Sequence, residues 1–326
     1  MRTKLLQMLI ENEGQFVSGE KLSKHLGCSR TAVWKHIEEL RKAGYELEAA
    51  PRRGYRITKK PNAITADEIS VHLNTETIGQ EIQYYETVTS TQEIAHRLAQ
   101  DGAREGTVVV ADEQTGGKGR LGRVWHSPIG TSISMSLILR PSIPPQQAPQ
   151  LTLLAAVSVV RGIQAATGIE CEIKWPNDIL LDGKKVVGIL TELQSEPDRV
   201  HSVIIGIGIN VNHRKEQFPS EIREIATSLG IEKGEEIARA DVIRSVFEEF
   251  ETLYQRYLNE GFKPIKQLWE SHAISLGKQI KASTVQNVLY GVATGITDDG
   301  VLLLEDEEGT VHKIYSADIE LNVTKA

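Results

Sequence analysis

Apolar residues change their spacing along the 326-residue chain, and each change predicts a different kind of structure. Leu5, Leu6, Leu9 and Ile10 share one helical face that ends near Gly14. A second short helix fits residues 19–26, with Ser18 as its N-cap, Leu22 and Leu26 inward, and Gly27-Cys28 as the turn that follows. Ser29 caps a longer helix that carries Val33, Ile37 and Leu40 inward and stops at Gly44. Residues 45–48, the basic turn Pro51-Arg52-Arg53-Gly54 and residues 55–57 predict strand, turn and strand, a wing. Two helices across a tight turn followed by a wing make a winged helix-turn-helix, whose second helix enters the DNA major groove. Lys59-Lys60-Pro61-Asn62 reads as a linker that closes a domain over residues 1–62.

Beyond it strands and helices intermix. Residues 83–88 form a strand, and Thr89-Ser90-Thr91 can cap a helix running through Ala95 and Leu98 to Gly102. A buried strand at 107–111 delivers the chain to Gln114 and a glycine-rich run. Ile133, Met135, Leu137 and Leu139 alternate with Ser132, Ser134 and Ser136, the period of a strand. Residues 151–166 are apolar almost all round, a buried helix. Strands follow at 178–181, 185–193 and 203–212, the first two joined by the hairpin signal Asp182-Gly183. In the third, Gly206, Gly208 and Asn210 share a face and leave room for a ligand to approach the backbone. Residues 241–258 make an amphipathic helix, with Val242, Val246, Phe250, Leu253 and Tyr257 buried. The tail carries short strands at 277–281, 289–296, 301–305 and 312–315, with turns at Asp299-Gly300 and Glu308-Gly309. This order predicts an α+β fold with a mixed sheet.

Composition narrows the class without naming a function. The chain is 40% hydrophobic and 25% charged, enough for a sizeable core, and its length predicts two or three domains. No apolar run approaches a bilayer-spanning length, and the start leads into an amphipathic segment rather than a secretory signal. Cys28 and Cys171 lie far apart without metal-ligand pairing, so a cytoplasmic, disulfide-free protein with no membrane partner is expected. The net charge of −7 hides an asymmetry: residues 1–60 hold 13 Lys/Arg against 7 Asp/Glu, a net +6 that leaves −13 on the rest. A basic head points to a polyanion. Arg30, Thr31, Trp34 and Lys35, at the start of the second helix of the motif, and Arg52 and Arg53, at the wing tip, are placed to reach bases and phosphates.

Two clusters carry candidate chemistry. Gly116-Gly117-Lys118-Gly119-Arg120-Leu121-Gly122-Arg123 packs four glycines into seven residues beside three cations, so successive backbone N–H groups can converge on an anion. It is neither a Walker loop nor the dinucleotide fingerprint: Asp112 stands where the first Walker glycine belongs, and Gly119 follows the lysine. Lys174-Trp175-Pro176-Asn177-Asp178 places Asn177 and Asp178 at a strand start, able to hold a metal, a ribose or an adenine edge. Lys185 follows on the hairpin. Taken singly, it is a solvated surface lysine.

Taken together, these residues resemble the signatures of biotin–protein ligases. Residues Gly117 to Ser127, closed by Trp125, resemble the family's G-R-G-R-x-G-R-x-W-x-S run. Residues 174–178 match K-W-P-N-D, Gly188-Ile189-Leu190 with Glu192 follows, and residues 206–212 match G-x-G-x-N-x-N. Order and spacing agree over essentially the whole chain; Lys118 departs, standing where Arg is usual and lacking its planar fork. With the winged head, the likeness is to the bifunctional class that also represses biotin-synthesis genes. The resemblance implies a central ligase domain of class II synthetase type over 63–272 and an SH3-like β-barrel over 273–326. It implies biotin and ATP as substrates, Mg²⁺ on the phosphates, a biotin carboxyl-carrier acceptor, operator DNA and a homodimer as partners, and the adenylate as corepressor. Lys185 and Arg120 would be catalytic. Ser90, Thr91, Gln92, Gln114, Lys118, Gly119, Arg120 and Lys185 would hold biotin. Arg120, Arg123, Trp125, Asn177, Asp178, Gly206, Gly208 and Asn210 would hold the nucleotide, with metal ligands unassigned. A non-catalytic biotin-sensing repressor would not need cations aimed at pyrophosphate, and the basic glycine run disfavours a lipoate ligase.

Overall fold

Both serines expected to start helices in the head do so. In this computed structural model α1 (Arg2–Glu11) precedes α2 (Gly19–Leu26), where the Ser18 hydroxyl accepts from the Lys21 N–H at 3.1 Å. In α3 (Arg30–Lys42) Ser29 accepts from the Ala32 N–H at 3.2 Å, and Gly27 turns the chain in the left-handed region between the two helices. β1 (Glu46–Ala50) and β2 (Gly54–Lys59) pair antiparallel as the wing, over a core that includes Leu6, Leu22, Ile37 and Ile57. The basic segment after β2 leads into a further helix, α4 (Ala66–Ser70), which Thr65 caps and which Asp67 ties to Arg2 and Thr3 of α1. The structure describes residues 1–196 and 199–321; its first compact unit runs through Asn74 and its second starts at Thr75.

The second unit strings together β3 (Ile82–Val88), α5 (Thr91–Gln100), β4 (Val108–Gln114), β5 (Ser132–Leu139) and α6 (Ala148–Thr167). Then come β6 (Glu172–Lys174), β7 (Asp178–Leu181), β8 (Lys184–Ser195), β9 (Val200–Asn210), α7 (Leu229–Lys233), α8 (Arg239–Glu260) and α9 (Lys263–His272). The strands form one mixed sheet in the order β3-β4-β5-β9-β8-β7-β6, with β3 and β4 parallel. As the residue types predict, Asp182 and Gly183 both take positive φ in the β7–β8 turn.

The alternation in β5 does not mark a half-exposed strand, because all eight of its residues are buried. Ala95 and Ala99 of α5 pack on Val109, Ile138 and Ile204, and the Ser136 hydroxyl lies 2.9 Å from both Thr91 Oγ1 and Gln92 Oε1. The serine face is therefore the α5 face. The Thr152 hydroxyl donates to Thr191 at 2.8 Å, and Thr191 pairs with Ile205, which puts α6 on the opposite, aliphatic face. Gly162 lets α8 close on α6: an added Cβ would lie 2.7 Å from the Val246 Cα. Contrary to the sequence expectation, residues Pro145–Thr167 are long and apolar enough, by length and composition, to cross a membrane. Their burial, 72% of the window, is that of a core helix.

The tail forms β10 (Gln279–Ser283), β11 (Val288–Ile296), β12 (Leu302–Glu305), β13 (Val311–Ile314) and β14 (Asp318–Leu321), the last unanticipated. Their antiparallel order is β13-β12-β11-β10-β14. Where a closed barrel was expected, no ladder joins β13 to β14 among the described residues, and the sheet is open. Residues 322–326, the end of the expected 273–326 domain, lie outside the described residues.

His213, just past β9, is 1% exposed, stacks on Phe218 at 4.8 Å between centroids and meets Thr131 Oγ1 at 3.2 Å. Burial lowers its imidazole from 6.5 to about 4. The unfolded chain therefore takes up this proton first, and stability is lost as pH falls from about 6.5 toward 4. Between pH 7.5 and 5 this one group should cost about 2 kcal/mol. His213→Gln should flatten the pH dependence of the urea unfolding free energy over that interval by this amount; parallel curves would contradict the assignment.

Candidate active site

Directly opposed residues of an antiparallel ladder project to the same face, so Ser134, Gly208, Gly188 and Asp178 form one row across β5, β9, β8 and β7. Ser136, Gly206 and Leu190 form the next. The glycines turn the middle of this face into a trough. Protein side chains cover part of it. A Cβ at Gly208 would lie 2.6 Å from Trp125 Nε1, one at Gly188 3.1 Å from Trp125 Cζ3, and one at Gly206 2.6 Å from Gln92 Oε1. Trp125 thus lies against the glycine floor, its indole nitrogen buried without a hydrogen-bond partner among the described residues.

The glycine run is a small hairpin. Lys118 bridges Val124, the Gly119 N–H donates to the Arg123 carbonyl at 2.7 Å, and the Trp125 N–H donates to the Gly117 carbonyl at 2.8 Å. These N–H groups, with that of Gly116 on the Thr89 carbonyl, are used by backbone and cannot converge on one anion. Leu121 (φ 57°) and Gly122 (φ 73°) make the tip.

Its cations are each held by a side chain. Lys118 Nζ sits 2.7 Å from Glu93 on α5, which raises its pKa. Arg120 donates to Asn177 Oδ1 and to Ser316 Oγ, both at 2.9 Å, and Arg123 is forked onto Asp318 of β14. Lys185 Nζ lies 2.7 Å from Asp178 and 5.8 Å from the Trp125 ring centre. Its backbone is pinned on both sides, its N–H to the Ile225 carbonyl and its carbonyl to the Thr227 N–H. Asn177 is itself anchored, donating to the Ile189 carbonyl at 2.8 Å. Trp175, the aromatic of the same motif, donates from Nε1 to the Gly300 carbonyl in the tail.

At the start of α5, Ser90 occupies the cap position without a side-chain bond. Gln114 does that work from β4: its Oε1 accepts from the Thr91 N–H at 2.8 Å. Gln92 spends its amide on Ser136 and on the Leu190 and Ile204 carbonyls, which clamps α5 to the sheet. The Ser90 hydroxyl and the Gln114 amide NH₂ are donors without a protein partner among the described residues.

Every residue assigned above to biotin or nucleotide lines one cavity of about 820 Å³. It also takes in Ser136, Phe218, Ile222 and Asp318, which the sequence did not single out. The alternation Ala317, Ile319 around Asp318 was the one available signal for β14. Among the described residues no group of three or more His, Cys, Asp or Glu forms a metal cage. In the first unit, Arg30, Thr31, Trp34 and Lys35 are exposed along α3, with Arg30 3.4 Å from Glu20. Arg52 and Arg53 are exposed at the wing turn, Arg52 with positive φ.

Three family descriptions match successive parts of the chain: an HTH domain over 2–56, the biotin/lipoate A/B protein ligase family over 84–210, and the biotin protein ligase C-terminal domain over 275–322. The chain is 58% identical to the bifunctional ligase/repressor BirA of Bacillus spizizenii over 98% of both chains. The chain belongs to the biotin–protein ligase family. Among other members, the bifunctional ligase/repressor BirA of Escherichia coli is 28% identical over 98% of this chain and 96% of its own. A biotin protein ligase of Aquifex aeolicus, solved in complex with biotin and ATP, aligns with a TM-score of 0.65 at 33% identity, over 75% of this chain and all of that one.

Within this ligase the glycine floor leaves no room for a side chain at Gly208. Gly208→Ala should lift Trp125 and the hairpin behind it, an overpacking cost of about 1–3 kcal/mol. Trypsin cleavage after Arg120 and Arg123, followed by mass spectrometry, should accelerate about tenfold. Unchanged cleavage would show that the indole does not rest on the floor.

Proposed function

We propose that this chain condenses biotin with ATP to biotinyl-5′-AMP and pyrophosphate, then transfers the biotinyl group to a lysine of a biotin carboxyl-carrier protein. With the adenylate bound, it represses genes of biotin synthesis and transport. The observation that carries this is the convergence of Lys118, Arg120 and Arg123 from the glycine-rich run and Lys185 from the β7–β8 hairpin on one cavity in a chain with a winged head.

In the first step a biotin carboxylate oxygen attacks the α-phosphorus and the bond to pyrophosphate breaks. Two anions must be brought together, so the first demand is charge neutralisation. Lys185 would leave Asp178 to bridge the carboxylate and the α-phosphate. Arg120 and Arg123 would exchange Ser316 and Asp318 for phosphate oxygens. Their present partners keep these long side chains oriented, so less freedom is lost when the substrate binds. Magnesium would arrive on the nucleotide phosphates, in keeping with its preference for substrate phosphates and water over an all-protein cage. The Ser90 hydroxyl and the Gln114 amide would meet the ureido ring, with Thr91 beside them and Gln92 holding their helix in place. Trp125 would cover the mixed anhydride and exclude water. In the second step the neutral acceptor amine attacks the acyl carbon and AMP leaves; Asp178, released from Lys185, would orient that amine.

Functionally the chain divides into a DNA-binding part over 1–62, a ligase part over 63–272 and a cap over 273–326. Adenylate binding would order the hairpin and favour a homodimer suited to a two-fold operator, with α3 and the wing reading the DNA. With operator DNA and ATP as its ligands, it would act in the cytoplasm.

The test is exchange of labelled pyrophosphate into ATP, with biotin and with lipoate. Exchange should require biotin, and Lys185→Gln should lower it about 10²–10³-fold without moving the unfolding midpoint. Exchange supported by lipoate alone would replace this function with lipoate ligation; none with either acid would leave a biotin-sensing repressor.

A further inference from the structure

Two arginines of the wing meet on a single aromatic ring. The guanidinium carbon of Arg53 lies 4.1 Å from the centre of the Phe16 ring and that of Arg56 lies 4.7 Å from it, both within cation–π range. Their electrostatic situations differ. Arg56 pairs with Glu48 on the neighbouring wing strand and donates to the Gly14 carbonyl at 3.4 Å, so its charge is neutralised locally. Arg53 has no carboxylate partner among the described residues and is exposed.

Phe16 is held in place by its neighbours. Val17 exchanges both backbone hydrogen bonds with Tyr55, at 2.8 and 2.9 Å, which ties the segment to the edge of the wing by a single bridge. Gly54 makes this approach possible: it has a φ of 105°, and a Cβ there would lie 2.6 Å from the Ser18 Cα. The ring is thereby fixed against the turn that carries Arg53. Stacking uses the face of a guanidinium and leaves its N–H edge free, whereas a carboxylate partner would consume that edge.

We infer that Phe16 is a positioning residue that holds the Arg53 guanidinium, uncompensated, for a DNA phosphate at the wing tip. This rests on the DNA-binding role proposed above. An unstacked arginine would have to lose its side-chain freedom on contact, which corresponds to roughly two- to tenfold in affinity.

The experiment is a double-mutant cycle on the full chain with biotin and ATP present, using a random-sequence duplex of about 40 base pairs over a range of low salt concentrations. Phe16→Leu should weaken binding about two- to tenfold while the slope of log K against log salt stays the same, because no charge is removed. Arg53→Ala should weaken binding and reduce that slope by about 1. The double variant should match Arg53→Ala alone, and Phe16→Tyr, which keeps the ring and covers the case in which Phe16→Leu unfolds the head, should bind as the parent does. A Phe16→Leu loss that persists in full in the Arg53→Ala background overturns the inference, as does no loss at all. If the parent chain itself fails to bind the duplex, the DNA-binding role falls first and the inference with it.

Discussion

At Gly188, Gly206 and Gly208 the sheet carries no side chain, and the layer above it is built on that close approach. Trp125 can lie against β8 and β9 because two of these positions are bare, and Gln92 can reach the carbonyls of both strands because the third is. The tryptophan fixes one end of the basic hairpin and the glutamine fixes α5. Between them they define the walls of the cavity. A methyl group at any of the three would meet Trp125 or Gln92 and shift a wall directly.

Electrostatics supplies the second constraint. Four cations around one cavity would repel each other and spread into solvent unless something held them. Here Glu93, Asp178 and Asp318, with the neutral Asn177 and Ser316, do so from α5, β7, β14 and the segments beside them. These contacts are partly exposed, so each is weak. Weak contacts suit a site that must trade its internal partners for phosphate and carboxylate oxygens. The tail contributes to the same site, through Ser316 and Asp318 on one side and the Gly300 carbonyl under Trp175 on the other.

Much of this was legible from the chain. The winged head followed from serine caps, a left-handed glycine, a basic turn and charge sign, and the mixed sheet from strand periodicity and Asp182-Gly183. The cavity lining followed from motif resemblance. Other features were invisible for physical reasons. The serines of β5 look like a solvent face because alternation reports polarity, and only the presence of α5 shows that they are buried. Gln114 reads as a ligand donor, yet half of its amide caps a helix from another strand. β14 is four residues long, a stretch too short for its alternation to stand out, and its place is set by pairing with β10.

The sequence by itself determined where the longer helices and strands lie, which residues carry charge, and which motifs come together in one chain. Those properties depend on neighbours within a few positions, where caps, turns and periodicity act. Only the tertiary structure decided what each polar group faces. It set Trp125 and Gln92 against the glycines, closed the glycine run into a hairpin, and gave Arg123 to Asp318 from nearly two hundred residues away. Partners so distant in sequence are chosen by sheet register and helix packing, and these are set by the whole core at once.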